Sequence, residues 1–291
     1  PKLAQIYDEP FADSSQIPTY LVSRLARQKV TVALSGDGGD EIFGGYNRYL
    51  WGPRIWRWLR RVPLPLRQLL FELLSRLPLT LVRQLPLRVP YPEEKLNKLL
   101  QLLPLRSPHE LYLSLVSQWS RPTDLVPGGS ESGQVSPFDL STAEGMMKMD
   151  ALTYLPDDIL VKVDRASMAV SLECRAPLLD YKVAEIAARL PPDQRIRAGR
   201  GKWVLREILK SYVQLPERPK SGFSLPLGSW LRGPLRDWAH DLLAPQNCQE
   251  LDFRPVQERW QQHLSGHRDW SASLWAVLMF QAWQRQWCAG S

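Results

Sequence analysis

A short segment rich in glycine and acidic residues is the part of this sequence best suited to chemistry. Residues 35–41 read Ser-Gly-Asp-Gly-Gly-Asp-Glu and follow a β-branched run at 30–34, which we predict to be a buried strand. The closely spaced glycines let the backbone turn sharply and approach a ligand. Successive N–H groups that lead into a helix N-terminus form a concavity suited to phosphate. The pattern therefore predicts a phosphate-binding loop at the end of a strand.

The two acids that close this loop indicate a cation. Asp40 and Glu41 would repel a phosphate unless Mg²⁺ bridged carboxylate and phosphate oxygens. The residues alone equally fit a structural acidic turn with Asp at a helix N-cap. The segment matches neither a Walker A loop nor a dinucleotide fingerprint.

Composition and charge place the chain among ordinary globular proteins. It has 291 residues, 44% hydrophobic and 23% charged, with a net charge of +7. Residues 51–110 hold eleven basic and four acidic side chains, so this segment accounts for the whole excess. Three cysteines without metal-like spacing favour a reducing compartment, and we expect a cytoplasmic protein. No apolar run approaches the ~18 residues that a membrane span needs.

Helical patterns dominate the remainder of the chain. A capping-box spacing at 141–144 predicts the start of a helix, Pro156 interrupts it, and Asp180 is placed to cap a later helix. In the tryptophan-rich tail, Trp275 and Met279 fall at helical spacing and predict core packing. The expected fold class is α/β, predominantly α-helical.

Four blocks in order and spacing resemble glutamine-hydrolysing asparagine synthetase. These blocks are residues 8–13 (Asp-Glu-Pro-Phe-Ala-Asp), 35–46, 153–180 and 218–223 (Arg-Pro-Lys-Ser-Gly-Phe). Together they span nearly the whole chain. The resemblance implies part of an ATP-pyrophosphatase (adenine nucleotide alpha hydrolase-like) synthetase domain.

The resemblance also implies a reaction and its partners. Aspartate would attack the α-phosphate of ATP to give β-aspartyl-AMP and pyrophosphate. Ammonia, released from glutamine in an N-terminal glutaminase domain of the same full-length chain, would then yield asparagine and AMP. The expected cofactors are ATP and Mg²⁺, and the family is compatible with a homodimer.

Residue roles follow from the match to the family's motifs. Asp37 stands where the family commonly has a catalytic Glu, Asp40 would ligate Mg²⁺, and Lys220 matches the family's catalytic lysine. The residues expected to bind ATP are Ser35, Gly36, Gly38 and Gly39. The candidate site-wall residues are Glu41, Asp164, Arg165, Glu173 and Arg175. Glu173 and Arg175 equally fit a structural ion pair.

The expected organisation is one synthetase domain, of which residues 1–291 form the C-terminal portion. Residues 1–50 carry the strand and second nucleotide loop, 51–137 a basic helical insertion, and 138–291 the helical substrate and ATP-site portion. The family's first phosphate loop, Ser-Gly-Gly-x-Asp-Ser, does not occur here, and we expect it upstream with the glutaminase domain. We therefore expect the fragment alone to be inactive.

Two alternatives remain open on the sequence. One is a related amidotransferase or β-lactam-type cyclase that adenylates another carboxylate; Asp37 favours ammonia transfer, because a Tyr commonly replaces this carboxylate in β-lactam-forming relatives. The other is a basic module in which residues 51–110 bind a membrane surface or nucleic acid. We prefer a helical insertion with Arg outward, so we expect no nucleic-acid partner and no stable membrane association.

Overall fold

The computed structural model describes residues 2–75, 100–119, 122–129, 136–214, 225–244 and 250–288. Its helices are, in chain order, α1 Leu3–Tyr7, α2 Gln16–Arg27, α3 Gly39–Ile42, α4 Asn47–Leu59, α5 Leu64–Ser75, α6 Pro108–Val116, α7 Ala143–Leu152, α8 Val161–Met168, α9 Tyr181–Arg189, α10 Pro192–Arg195, α11 Trp203–Lys210, α12 Leu227–Arg232, α13 Arg236–Leu242, α14 Arg254–Leu264 and α15 Ser271–Trp287. The strands are β1 Val32–Leu34 and β2 Glu173–Arg175. A π-helical turn, Leu155–Leu160, precedes α8, and short 3₁₀ turns occupy Pro122–Asp124 and Pro177–Leu179.

The two strands form a parallel pair that joins distant parts of the chain. Val32 lies opposite Glu173 and Leu34 opposite Arg175. The predicted strand at 30–34 is confirmed at its carboxyl end, but its predicted burial is wrong, since Val32 and Leu34 are exposed among the described residues. The strand β2 was not predicted. Its residues, Glu-Cys-Arg, include no β-branched side chain, so the local sequence carries no strand signal. The helix-rich α/β class is confirmed.

Two helices begin with the predicted type of N-cap residue, one of them a single position later than expected. The N-cap of α7 is Thr142 rather than Ser141, and its Oγ1 accepts a hydrogen bond from the Gly145 N–H at 3.0 Å. Asp180 caps α9 as predicted, accepting from the Lys182 N–H at 2.8 Å. Each such cap satisfies one backbone donor that the helix leaves unpaired.

The largest buried core lies among the C-terminal helices. Side chains of α12 to α15 pack together with Trp119, and Trp275 and Met279 are buried in this cluster. The prediction that the Trp-rich tail serves packing is confirmed for these two residues. Such burial of aromatic surface makes a large contribution to stability.

The basic segment departs in part from the expected outward arginines. The exposed arginines of this segment on and just after α4 are Arg54, Arg57, Arg60 and Arg61. On α5 the arrangement is reversed, because Arg67 is buried and its Nη1 donates to the carbonyls of Leu103 and Leu105 at 2.9 and 2.6 Å. The exposed leucines of α5 are Leu66, Leu69, Leu70 and Leu73. Across the described ranges, no helix is both long enough and apolar enough to cross a membrane.

Candidate active site

The glycine-rich segment connects β1 to α3 in a tight turn, which we call the 35–41 loop. Gly38 has a φ of +82°, in the left-handed region that favours glycine. A Cβ at Gly38 would lie 2.1 Å from Leu179 Cδ2, and one at Gly39 would lie 2.7 Å from Leu178 Cδ1. Glycine is therefore required both by the backbone angle and by the 3₁₀ turn that packs against the loop.

The carboxyl end of β2 lies beside this loop. The Ser35 N–H donates to the Arg175 carbonyl at 2.8 Å and continues the strand ladder. Burial, followed by the charge of Asp37, raises the pKa of the Cys174 thiol in β2. Ligands of parallel α/β sheets bind at the carboxyl ends of the strands. The predicted ATP residues and Asp37 occupy this position.

A lysine that the sequence analysis did not select also lies at the loop. Lys202 Nζ is 3.1 Å from Asp40 Oδ2, and the Lys202 N–H donates to the Phe43 carbonyl at 2.9 Å. Gly201 permits this approach, since a Cβ there would lie 2.0 Å from the Gly44 carbonyl oxygen. The only sequence signal was a Gly-Lys pair before a helix, which is too common to be informative.

Whether Asp40 fits a Mg²⁺ site depends on how many protein ligands the ion requires. Among the described residues no group of three or more His, Cys, Asp and Glu side chains could hold a metal ion. A magnesium that serves phosphate transfer commonly takes only one or two carboxylates, the remaining ligands being water and phosphate oxygens. Asp40 is partly exposed at the loop, so its carboxylate fits this limited role.

Glu41 points away from this surface and into the protein. Its side chain is buried, and the Tyr46 hydroxyl donates to Glu41 Oε1 at 2.5 Å. Burial raises the pKa of this carboxyl. Glu41 is thus placed to anchor the loop from within, and not to line it.

Behind Glu41 lies a buried group of charges and phenols, which we call the Asp150 network. Arg48 Nε contacts Asp150 Oδ2 at 2.7 Å, and the Tyr112 hydroxyl donates to Asp150 Oδ1 at 2.7 Å. The Tyr49 hydroxyl donates to the same carboxylate. The Arg48 guanidinium stacks over the Tyr46 ring at 4.2 Å from its centroid. The network therefore connects α4, α6 and α7 to the phenol that holds Glu41.

The other candidate wall residues form two exposed ion pairs. Arg175 Nε lies 2.7 Å from Glu173 Oε1, as the structural interpretation predicted, and the pair stands at the end of β2 next to the loop. Arg165 Nη1 lies 2.6 Å from Asp164 Oδ2, and its Nε is 3.4 Å from Asp8. The contacts of this second pair do not reach the loop. Lys220, the predicted catalytic lysine, lies outside the described residues.

A second charged cluster surrounds Lys162, which is buried on α8. Its Nζ is 2.6 Å from Asp13 Oδ2 and 3.6 Å from Asp158 Oδ1. Burial and then the Asp13 charge raise the pKa of Asp158 to about 7. Burial also opposes ionisation of Asp13, but the charge and hydrogen bond of Lys162 lower its pKa overall. One lysine thus neutralises Asp13, while Asp158 retains its proton more readily.

The cluster predicts a pH-dependent effect of Asp158→Asn. The pKa of Asp158 is about 7 in the folded protein, whereas the usual pKa of this carboxyl is 3.8. The stability that the bound proton contributes is therefore lost as the pH rises from the lower of these values to the higher. Asn mimics the protonated carboxyl. We expect the variant to match the wild type at pH 4 and to exceed it by about 1–4 kcal/mol at pH 8, since each pKa unit corresponds to ~1.4 kcal/mol.

Urea denaturation at the two pH values measures this difference. Asp157→Asn is the matched control, because Asp157 is the exposed neighbour on the same π-helical turn. Parallel pH profiles for Asp158→Asn and the wild type would show that Asp158 ionises normally in the fold.

A glycine-rich loop at the carboxyl end of β1 holds the Asp40 carboxylate beside the Lys202 ammonium. The asparagine synthase family matches residues 1–285, and the chain belongs to this family. A putative glutamine-hydrolysing asparagine synthetase of Mycobacterium tuberculosis is 33% identical over 292 residues, covering 97% of this chain and 43% of that protein. Glutamine-hydrolysing asparagine synthetase 1 of Bacillus subtilis is 30% identical over 299 residues, covering 97% and 45%.

A shorter match extends the comparison to an archaeon. A putative glutamine-hydrolysing asparagine synthetase 2 of Methanocaldococcus jannaschii is 39% identical over 179 residues, or 57% of this chain and 31% of that protein. No solved structure matches the chain. The chain thus spans less than half the length of the Mycobacterium and Bacillus relatives.

Proposed function

We propose that this chain forms the C-terminal portion of the synthetase domain of a glutamine-hydrolysing asparagine synthetase, within the ATP-pyrophosphatase class. The observation that carries the proposal is the approach of Lys202 to Asp40 at the glycine-rich loop. This arrangement brings a cation and a carboxylate to a cradle of backbone N–H groups. The membership in the asparagine synthase family supports the same activity.

The proposed reaction is amide formation through an acyl-adenylate. The side-chain carboxylate of aspartate attacks the α-phosphate of ATP, the α–β phosphoanhydride bond breaks, and pyrophosphate leaves. Ammonia from glutamine then attacks the β-carbonyl, and AMP departs to leave asparagine. Adenylation is needed because a free carboxylate is a poor acyl donor, and the transition state builds negative charge that fixed cations stabilise.

Each loop residue has a proposed task in this reaction. The Ser35 hydroxyl and the backbone N–H groups of Gly36 and Gly38 would bind phosphate oxygens, Gly39 shapes the turn that holds them, and Asp37 would face the reacting carboxylate. Lys202 would balance charge on the phosphates, together with Lys220, which the family resemblance assigns. Mg²⁺, when bound to Asp40, would neutralise the pyrophosphate charge.

Asp40→Asn in the full-length protein tests the proposed metal ligand. The neutral amide is a poorer Mg²⁺ ligand, so we expect half-maximal aspartate-dependent ATP–pyrophosphate exchange to need at least about tenfold more Mg²⁺. The measurement is a Mg²⁺ titration of the exchange rate. Asp193→Asn, which changes an exposed carboxylate on α10, is the control and should leave the titration unchanged. An unaltered Mg²⁺ requirement in Asp40→Asn would remove Asp40 from the metal site.

The same exchange assay separates the two enzymatic alternatives. Exchange that requires aspartate supports asparagine synthesis, whereas exchange with a different carboxylate and not with aspartate supports an amidotransferase or cyclase on another substrate. The comparisons favour the first, since the relatives described above carry the name asparagine synthetase.

A further inference from the structure

Helix α5 exposes its leucines and buries its arginine. The exposed leucines recur at helical spacing and are Leu66, Leu69, Leu70 and Leu73. Leu69 and Leu73 are 51% and 55% exposed. The Arg67 guanidinium, by contrast, is buried and donates to three backbone carbonyls at 2.6–3.0 Å. A helix at a surface that faces water normally buries its apolar row and exposes its charge. The outer face of α5 therefore suits an apolar environment.

The preceding helix, α4, exposes tryptophan together with arginine. One stripe along and just past this helix, with positions three or four residues apart, consists of Trp51, Arg54, Trp58 and Arg61. The two tryptophans are 57% and 54% exposed, and the Arg54 guanidinium lies 5.4 Å from the centroid of the Trp51 ring. Arg57 is exposed beside this stripe. Residues 47–75 contain six arginines and one acid, Glu72, so this part of the surface is basic.

Both helices pack against one core cluster. Helix α4 contributes Ile55 and Trp56 to the cluster around Leu59, and α5 contributes Phe71 and Leu74. The exposed residues of both helices therefore lie on faces that this core does not use. We call the exposed tryptophans and arginines of α4, with Arg61, and the exposed leucines of α5 the α4–α5 surface.

We propose that the α4–α5 surface binds reversibly to an anionic phospholipid bilayer. The leucines of α5 and the tryptophans of α4 enter the headgroup region, where amphipathic helices place their apolar side chains. The guanidinium groups of Arg54, Arg57 and Arg61 bind the lipid phosphates. Two short helices give reversible binding and no permanent anchor, which agrees with the expectation of no stable membrane association.

The leucines favour a bilayer over a nucleic acid as the partner. A nucleic acid would use the arginines, because phosphate charge dominates its affinity for proteins, but it would leave the four leucines in water. A bilayer binds the arginines through its headgroups and also removes the leucines from water. The inverted burial on α5 is therefore the observation that carries the proposal.

Co-sedimentation of the full-length protein with lipid vesicles tests this binding. Vesicles of phosphatidylcholine with about one third phosphatidylglycerol should bind the protein at low salt, and vesicles of phosphatidylcholine alone should bind it at least about tenfold more weakly. Leu69→Ser/Leu73→Ser should lower the partition coefficient at least about tenfold, because two apolar side chains no longer leave water. The matched control is Leu152→Ser/Leu209→Ser, which changes two exposed leucines on α7 and α11 and should leave the partition coefficient unchanged.

A second variant measures the contribution of charge. Arg57→Gln/Arg61→Gln should lower the partition into the anionic vesicles by about tenfold or more and should have little effect with phosphatidylcholine alone. Raising the salt from about 0.1 M to about 0.5 M should weaken wild-type binding in the same way, because salt screens the attraction between arginine and headgroup.

Several results would overturn the proposal. One is a wild-type protein that does not bind the anionic vesicles, and another is equal binding by the wild type and Leu69→Ser/Leu73→Ser. Binding to a mixed-sequence DNA duplex that is tighter than vesicle binding, and that the leucine substitutions leave unchanged, would favour a nucleic-acid partner instead. The leucine variant should keep the wild-type Tm within about 2 °C, since surface substitutions change stability little. A larger decrease would show that these leucines are packed within the full-length protein. None of these measurements involves ATP, so the proposed function can fail separately.

Discussion

Replacing Lys202 with Met should lower the rate of aspartate-dependent ATP–pyrophosphate exchange by about 10²–10³-fold in the full-length protein. That is the range lost when one preorganised charge stabiliser is removed from a transition state. Lys202 Nζ lies 3.1 Å from Asp40 at the loop, so the ammonium is already in place before substrate arrives. Met keeps most of the side-chain length and removes the charge, which isolates the electrostatic contribution.

Steady-state kinetics distinguish this role from simple substrate binding. We expect kcat for exchange to fall more than the KM for ATP rises, because the charge acts where the α-phosphate gains negative charge. Lys210→Met is the control, since Lys210 is the last residue of α11, the helix that Lys202 precedes, and pairs at the surface with Glu207 at 2.7 Å. A wild-type kcat in Lys202→Met would mean that this lysine serves only to orient Asp40.

Replacing Asp150 with Ala should produce a large loss of stability. Removing one partner of a buried ion pair costs about 3–5 kcal/mol, because it leaves the other charge buried and unpaired. Here Arg48 loses its carboxylate, and the hydroxyls of Tyr49 and Tyr112 lose their acceptor at the same time. Urea denaturation followed by tryptophan fluorescence measures the loss.

An exposed ion pair of similar length supplies the comparison. Arg285 Nη1 lies 2.6 Å from Asp241 Oδ2, and the two side chains are 49% and 61% exposed. Asp241→Ala should leave the stability close to that of the wild type, since surface pairs contribute little. Similar losses in the two variants would indicate that the Asp150 network is open to water and does not stabilise the loop.

The sequence was informative wherever local chemistry determines structure. The strand before the loop, the Asp180 cap and the buried Trp275 all follow from patterns within a few residues. The second strand could not be found this way, because Glu173 to Arg175 becomes extended through pairing with a strand some 140 residues earlier. The inverted burial on α5 has the same origin, since Arg67 is buried to satisfy carbonyls that belong to a later segment.

The candidate site was predictable to a similar degree. The 35–41 loop was identified from its glycines and acids, and it follows β1 as predicted, whereas the roles of Asp37 and Asp40 stay predictions. Nothing in the sequence distinguished Glu41 from Asp40. Adjacent helical residues point in different directions, and in the structure the Glu41 side chain is buried against Tyr46. Lys202 could not be identified because its approach depends on the packing of Gly201 against Gly44.

The close packing of Gly201 on the Gly44 carbonyl has a consequence for the order of folding. The loop gains its final surroundings only after segments near residues 175, 179 and 202 have returned to it across more than 130 residues of chain. Contacts of such high sequence separation carry a large loop-closure entropy and form slowly. We therefore expect nucleotide binding to report on the last stage of folding, so that the recovery of ATP affinity after refolding lags behind the recovery of helical signal.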